Sequence, residues 1–296
     1  MLNSLVVALG LFLSQQPADQ TVALFPKELT SFDPEGEVVF QAEPSGWDAK
    51  IRERGWIMKD GDKYRMYYTG YRDKDGTRLL GTATSPDGVS WTRDSANPLI
   101  KNLWVEDMMV VKHDGLLHMF AEGKNDIAHR LTSKDGLRWI PEGSLDIRLK
   151  NGDSIPPGAY GTPTAWFEGG LWRLLYERGD RGIWLATSND LKVWTNVQDE
   201  PVLNRGPEPY DRHMIALNQV IKFKGRYYAV YHGLENPETK RWTTNLATTT
   251  DFIHWTKYPN NPIVPGNRSS GILVETDDGW TLYTMHDVVR RHRPRK

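Results

Sequence analysis

The chain has 296 residues, a formal net charge of −1 and no cysteine. That balance excludes the concentrated excess of Lys and Arg that a nucleic-acid partner demands, and it leaves no disulfide framework or thiol chemistry. Hydrophobic residues at 39 % and charged residues at 25 % belong to an ordinary folded domain, but twelve Trp and twelve Tyr raise the aromatic share to 11 %. Flat side chains of this kind serve sheet packing first and sugar stacking second.

The first feature in chain order is the apolar run Leu5 to Leu13, LVVALGLFL. It is too short to span a bilayer and has the size of the apolar core of an export signal. Residues 1–18 are therefore read as a signal peptide, with the protein secreted or periplasmic and no membrane span. Met1 to Ser4 carries no basic residue and no A-x-A cleavage site follows, so a start that packs as a strand is the competing reading.

Residues 22–290 read as a single repetitive domain. A turn glycine followed by an alternating aromatic strand occurs five times: GDKYRMYYTG from Gly61, GLLHMFAEG from Gly115, GLWRLLYER from Gly170, GRYYAVYHG from Gly225 and GWTLYTMHD from Gly279. The interval is 54 or 55 residues throughout, the mark of a repeat architecture. A second signature, strand then tight turn then strand, ends at Trp91 (ATSPDGVSW), Trp139 (LTSKDGLRW), Trp194 (ATSNDLKVW) and Trp255 (ATTTDFIHW). Each closing Trp is expected to pack beside the next blade. NPLI (Asn97 to Ile100), PVL (Pro201 to Leu203) and NPIV (Asn261 to Val264) follow and read as short outer strands, where Pro is tolerated.

Each unit is thus a four-stranded meander, and five of them predict an all-β fold, a five-bladed β-propeller of four-stranded antiparallel blades. The fifth unit is cut short. EVVFQ, Glu37 to Gln41, stands before blade one where NPLI stands before blade two, and is expected to supply the last blade's outer strand and close the ring. Residues 291–296 read as a basic, solvated tail.

Innermost propeller strands converge on a central channel. Aligning the five second strands puts Thr69, Glu122, Glu177, His232 and His286 at one register. The inner strands open at Trp47-Asp48, Glu106-Asp107, Tyr160 to Thr162, Tyr210-Asp211 and Arg268 to Gly271. Blades one and four carry longer inner loops, Ile51 to Gly55 and Asp211 to Met214, and counting back from Gly61 places Glu53 level with Asp107.

Several carboxylates around one channel suit glycoside cleavage, in which one acid protonates the leaving oxygen and another activates water or attacks the anomeric carbon. Crowding would also separate their pKa values. The catalytic candidates are Asp48, Asp107, Glu177 and Glu53. The substrate-binding candidates are Trp47, Glu106, Glu122, Tyr160, Thr162, Asp211, Arg212, His213, His232 and His286, and Trp104 could also stack on a sugar. The structural alternatives are that Asp48, Asp107 and Asp211 cap turns, that Glu122 and Glu177 pair with Arg52, Arg178 or Arg212, and that the histidines are hydrogen-bonded core residues. No metal ligand set or cofactor is required, a structural calcium in the central channel is the one ion considered, and a monomer with a carbohydrate substrate is expected.

From Gly46 to Asp287 the chain resembles the five-bladed glycoside hydrolases of families 43, 32, 62, 68 and 117. The resemblance rests on the YRMYYTG-type strands, the ATSPDGVSW-type repeat with NPLI following, and Glu106-Asp107 ahead of MMVVKHDG. It implies a glycosidase, typically exported and acting on plant or algal polysaccharides. It also implies an Asp base in blade one (Asp48, or Glu53), a second Asp that orients and tunes in blade two (Asp107), and a Glu acid in blade three. Family 43 carries that Glu at the start of the inner strand, where this sequence reads Tyr160-Gly161-Thr162-Pro163. Glu177 on the neighbouring strand is the substitute, with His213 or His232 as alternative acids in an arrangement similar to family 117. The departure keeps a noncatalytic carbohydrate-binding propeller as the second reading. A third, sialidase-type reading rests on S-x-D-G-x-x-W, which is similar to the Asp box of those six-bladed enzymes but one residue short.

Overall fold

The computed structural model describes residues 18–73 and 76–295. The export segment read at Leu5 to Leu13 lies outside them, and among the described residues no helix is long and apolar enough to cross a membrane. Five antiparallel meanders make up the fold. Blade one runs Lys50–Asp60, Lys63–Tyr71, Leu79–Ser85 and Thr92–Arg93; blade two runs Glu106–His113, Leu116–Glu122, Ala128–Ser133 and Ile140–Ser144. Blade three comprises Gly161–Glu168, Leu171–Glu177, Gly182–Ser188 and Val193–Asn196, with Asp146–Arg148 added parallel to the fourth strand and Leu203–Asn204 on the third. Blade four is Met214–Phe223, Arg226–Asn236, Arg241–Thr249 and Thr256–Lys257.

Blade five takes three strands from the end of the chain, Ile272–Thr276, Gly279–Met285 and Val288–His292, and its fourth from the beginning, Glu37–Gln41. Glu37 lies opposite Arg291 and Gln41 opposite Val288, so the expected closing strand is in place. Two residues assigned to a solvated tail belong to this sheet instead. His292 is fully buried, and Arg291 is buried with its guanidinium 2.8 Å from Asp278. Ahead of the closing strand, Phe25, Leu29 and Phe32 fill the seam between blades four and five beside Tyr228, Leu246 and Leu282.

The recurring turn explains its own sequence. Asp87 Oδ1 accepts from the backbone N–H groups of Val89 and Ser90 at 2.8 Å each, Ser85 Oγ accepts from Gly88 N–H, and the Trp91 indole donates to the Gly88 carbonyl. Asp135 and Asp251 do the same in blades two and four, with Trp139 and Trp255 closing the loop. The closing Trp packs on the preceding blade, not the next. Trp139 meets Tyr67 edge-on with centroids 5.5 Å apart, and Trp194 meets Phe120 at 5.9 Å. The cause is that a second-strand Tyr reaches across the gap: Tyr67 and Tyr283 donate their hydroxyls to the turn carbonyls of Gly136 and Gly88 in the following blade.

The NP segments also differ from expectation. In blades one, two and four the fourth strand begins directly after the Trp, while Ile100 and Val264 form single bridges to Leu80 and Thr244 farther along the third strands. Pro98 and Pro262 have no N–H for a ladder. Asn97 supplies one with its side chain, accepting from Thr82 N–H and donating to Thr82 C=O at 2.8 Å each, and Asn261 treats Leu246 in the same way at 2.9 and 3.0 Å.

Asp48 and Asp211 occupy corresponding places in blades one and four, and neither faces the channel. Asp48 Oδ2 accepts from Tyr68 Oη at 3.0 Å and Arg93 Nε at 2.8 Å; Asp211 Oδ2 accepts from Tyr231 Oη at 3.2 Å and from Lys257 Nζ. Both carboxylates are fully buried. Trp47 stacks on Tyr68 at 5.8 Å, so it too belongs to the blade interior. Removing one partner of a buried ion pair strands the other, at about 3–5 kcal/mol. Asp48→Ala is therefore expected to lose about 3 kcal/mol in urea denaturation, against about 1 kcal/mol for Tyr68→Phe, which removes a single hydroxyl.

Candidate active site

The site begins with backbone irregularities. Pairing between the first and second strands breaks register between Arg52 and Trp56, Glu106 and Met109, Gly161 and Thr164, and Leu217 and Gln219. A bulge bends the strand and re-aims a side chain. At the first three breaks one residue is left-handed: Glu53 at φ 50°, Asp107 at 45° and Thr162 at 41°, with Ser270 at 53° ahead of the blade-five inner strand. Positive φ is costly for a β-branched Thr, and backbone strain of this kind clusters at functional sites. All four residues line one pocket of about 260 Å³ at the mouth of the channel.

Arg54, the neighbour of Glu53, forms the floor. Its side chain is fully buried and donates to the carbonyls of Asp107 and Pro163 (3.0 Å), Leu217 and Asn218 (2.9 Å each), and to Thr164 Oγ1 at 3.0 Å. Its backbone N–H donates to Asp107 Oδ1 at 3.2 Å. Burial lowers its pKa to about 10, so the group is charged at neutral pH. This guanidinium supplies positive charge in the channel.

Six carboxylates line the pocket: Glu53, Asp107, Glu122, Asp126, Glu177 and Asp180. Their neighbours sort them. Burial alone would raise Glu53, but the ion pair with Arg52, helped by His232, a hydrogen bond with Asp107, and His286, holds it below the usual value. Asp107 goes the other way, raised well above its usual value by burial and by the Glu53 charge. Glu122 is raised by burial and by Asp107 and Asp126, although Oε2 accepts from Thr162 N–H at 2.9 Å. Glu177, 3 % exposed, is raised to about 7 chiefly by burial; its two oxygens accept from Gly161 N–H at 3.1 Å and Asp180 N–H at 2.6 Å. Gly161 is required here, because a Cβ on it would lie 2.0 Å from Glu122 Oε2.

His232 is pushed down to about 4 by burial, so it is neutral near pH 7 and carries no proton to give as an acid. Its Nδ1 lies 2.7 Å from Asn218 Oδ1, an acceptor, which puts the ring proton on Nδ1 and leaves Nε2 to accept. The ring meets Trp242 edge-on at 5.4 Å. His286 Nδ1 lies 3.2 Å from Ser269 Oγ.

Of the residues singled out in the sequence, Glu53, Asp107, Glu122, Glu177, Thr162, His232 and His286 meet in this pocket. Asp48, Asp211 and Trp47 do not, being held inside their blades as described. Tyr160 is spent on the Leu145 carbonyl at 3.1 Å, Arg212 on the Pro207 carbonyl, and the His213 carbonyl accepts from Arg205. Glu106 is buried behind the pocket wall, with Oε1 on the Trp104 indole at 2.7 Å and Oε2 3.5 Å from Arg52. Trp104 faces the Arg78 guanidinium, 4.9 Å from its ring centroid, and lines a separate cleft. Glu106, Glu122 and Asp126 bring one oxygen each within 4.8 Å of one another, and of the three Glu106 stands beside Arg52 and Arg78.

Sequence reasoning missed Arg54, Asp126, Asp180 and Trp242. The signal for Trp242 was length: the hairpin Arg226–Asn236 to Arg241–Thr249 exceeds its counterparts and overhangs the pocket.

No family model matches the chain. A glycosyl hydrolase from Bacteroides ovatus superimposes with a TM-score of 0.70 at 17 % identity, over 92 % of this chain and 97 % of that one. The chain shares its fold with a solved glycosyl hydrolase. A structure from the GH130 family of mannoside phosphorylases, described as containing glycoside hydrolases that target β-1,2 mannosidic linkages in Candida mannan, gives 0.69 at 17 % identity over 90 % and 94 %. By sequence, a 1,2-β-oligomannan phosphorylase of Thermoanaerobacter sp. (strain X514) is 27 % identical over 73 % of this chain and 71 % of its own. An uncharacterized protein of Mycobacterium tuberculosis is 24 % identical over 60 % of this chain, and the match spans 66 % of that relative, just under two thirds of its length.

The Arg54 contacts are testable. Lysine keeps the charge but not the planar fork that reaches several carbonyls at once. Arg54→Lys is expected to cost about 3–5 kcal/mol in chemical denaturation, the range for a broken buried charge network.

Proposed function

We propose that the protein is a glycoside hydrolase acting on an oligo- or polysaccharide in the central pocket. The observation that carries this reading is the separation of pKa values among adjoining carboxylates: Glu53 held ionised, Glu177 held near neutrality. Acid and base catalysis at one glycosidic bond needs one group of each kind, a protonated acid for the leaving oxygen and an ionised partner for water or the anomeric carbon. Glu53 takes the part of the base or nucleophile, Asp107 shares a proton with it and tunes it, and Glu177 protonates the leaving oxygen. His232 Nε2 accepts from a sugar hydroxyl, and Trp242 offers the pocket an apolar ring.

The relatives include phosphorylases as well as hydrolases, and the charge of the pocket favours the hydrolytic reading. A phosphate co-substrate needs cationic donors where it attacks. Among the described lining residues the single Lys or Arg is Arg52, already paired with Glu53, against six carboxylates. Such a pocket repels a dianion and admits water. The segment Leu5 to Leu13, read as an export signal, would bring such an enzyme to glycans outside the cell.

Turnover on a polysaccharide panel, with products resolved in phosphate and in phosphate-free buffer, separates the readings. Reducing sugar independent of phosphate is expected, and sugar 1-phosphate as the main product sinks the hydrolytic reading. Glu53→Gln and Glu177→Gln should each lower kcat about 10²–10⁴-fold while leaving the melting temperature near wild type. The acid must be protonated and the base ionised. kcat/KM is therefore expected to fall as pH rises through about 7, where Glu177 loses its proton, and to fall on the acid side only below the ordinary Glu range, where Glu53 gains one. The upper limb should vanish from the residual activity of Glu177→Gln.

A further inference from the structure

A second cleft, of about 350 Å³, adjoins the acidic pocket over blade three, and Ala159 and Gly179 line both. Its chemistry is the reverse of its neighbour's. The turn Arg178 to Arg181 links the second and third strands, closed by Arg181 N–H donating to the Arg178 carbonyl at 3.3 Å, with Gly179 at φ 55° and Asp180 at 57°. A turn of this kind brings its first and fourth Cα atoms within about 7 Å. Arg178 and Arg181 are therefore rooted side by side, and both line the cleft.

Neither guanidinium has a carboxylate within 4.0 Å among the described residues, although Arg178 follows Glu177 directly in the chain. Arg178 donates once, to the Pro156 carbonyl at 2.8 Å, which fixes its direction, and its Nε is buried with no hydrogen-bond partner. Two like charges on one turn repel, so the pairing carries a cost that an anion would remove. Trp184 forms the adjoining wall. Its indole N–H is spent on the Asp199 carbonyl at 2.9 Å, and the ring is half-buried at the cleft.

We infer that this cleft is a subsite for an acidic sugar, taking the carboxylate or sulfate ester of the residue next to the one in the pocket. The inference rests on the hydrolase reading for the direction of the chain and names its substrate class as an anionic oligosaccharide. Arg178 and Arg181 engage the anion through planar, charge-assisted donors, and Trp184 stacks on the ring that bears it. The six carboxylates next door exclude an anionic group from the scissile position, so the substrate's charge must sit one unit away.

The test is calorimetric binding with the intact Glu53→Gln protein, which removes turnover from the measurement. The probes are oligouronates with their carboxyl-reduced counterparts, and sulfated oligosaccharides with their desulfated forms. The acidic member of one pair is expected to bind at least tenfold more tightly, with the difference shrinking in 0.5 M salt. Whichever pair shows the preference identifies the anion. Arg181→Gln, at an exposed position, and the double variant with Arg178→Gln should abolish the preference while changing affinity for the neutral member less than twofold. Equal affinity within both pairs overturns the inference. So does inorganic sulfate or phosphate binding as tightly as the oligosaccharides. A preference that persists in a protein with no turnover on any substrate would sink the hydrolase reading alone.

Discussion

The interaction on which this structure most depends is the side chain of Arg54 in the channel. Innermost strands of a propeller bring carbonyls toward an axis where no neighbouring strand can satisfy them, and an unpaired buried carbonyl is expensive. One guanidinium answers groups on blades two, three and four from a root in blade one. Blade five is tied in separately, through Gln219, whose amide exchanges hydrogen bonds with Leu273 N–H and C=O at 2.7 and 2.9 Å. Ring closure is therefore fastened at the hub by side chains and at the rim by the strand Glu37–Gln41.

The same arginine shapes the chemistry. Arg52, Glu53 and Arg54 are consecutive, and the bulge they form turns Glu53 up into the pocket while Arg54 goes down into the channel. Asp107 feels both: its carboxylate accepts from the Arg54 backbone while Glu53 raises its pKa. A change at the hub would thus move the acid at the mouth. Stability and proton affinity share one short segment.

The blade count, the closing strand and the register of the second strands were legible because they obey a period. Five turn glycines at fixed spacing announce themselves, and alternation along a strand assigns its faces. What was illegible breaks the period. A bulge adds residues without changing their composition, so nothing in the letters distinguishes Glu53, which enters the pocket, from Asp48, which is locked between Tyr68 and Arg93. Counting back from Gly61 made Glu53 a rival to Asp48, because the strand length, not the acid, carried the information. Likewise Asn97 and Asn261 read as the first residues of short outer strands, whereas their amides stand in for a peptide beside a proline. The direction of Trp packing could not be read either, since it depends on which neighbour's tyrosine spans the gap.

Blade three shows how charge is distributed once the fold is set. Thr162 stands where Glu53 and Asp107 stand in their blades, so the inner strand there contributes no acid. The neighbouring strand contributes Glu177, and the turn after it contributes Asp180 toward the pocket and two arginines away from it. Moving the carboxyl to the second strand buries it beside Asp180 and Asp126 and away from any arginine, which raises its pKa to about 7 even though two backbone N–H donors pull the other way. Had Arg178 turned inward to pair with it, the carboxyl would be an ordinary ionised group. The outward turn of Arg178 therefore accomplishes two things at once: it keeps a proton on Glu177 and places an unpaired cation beside the pocket.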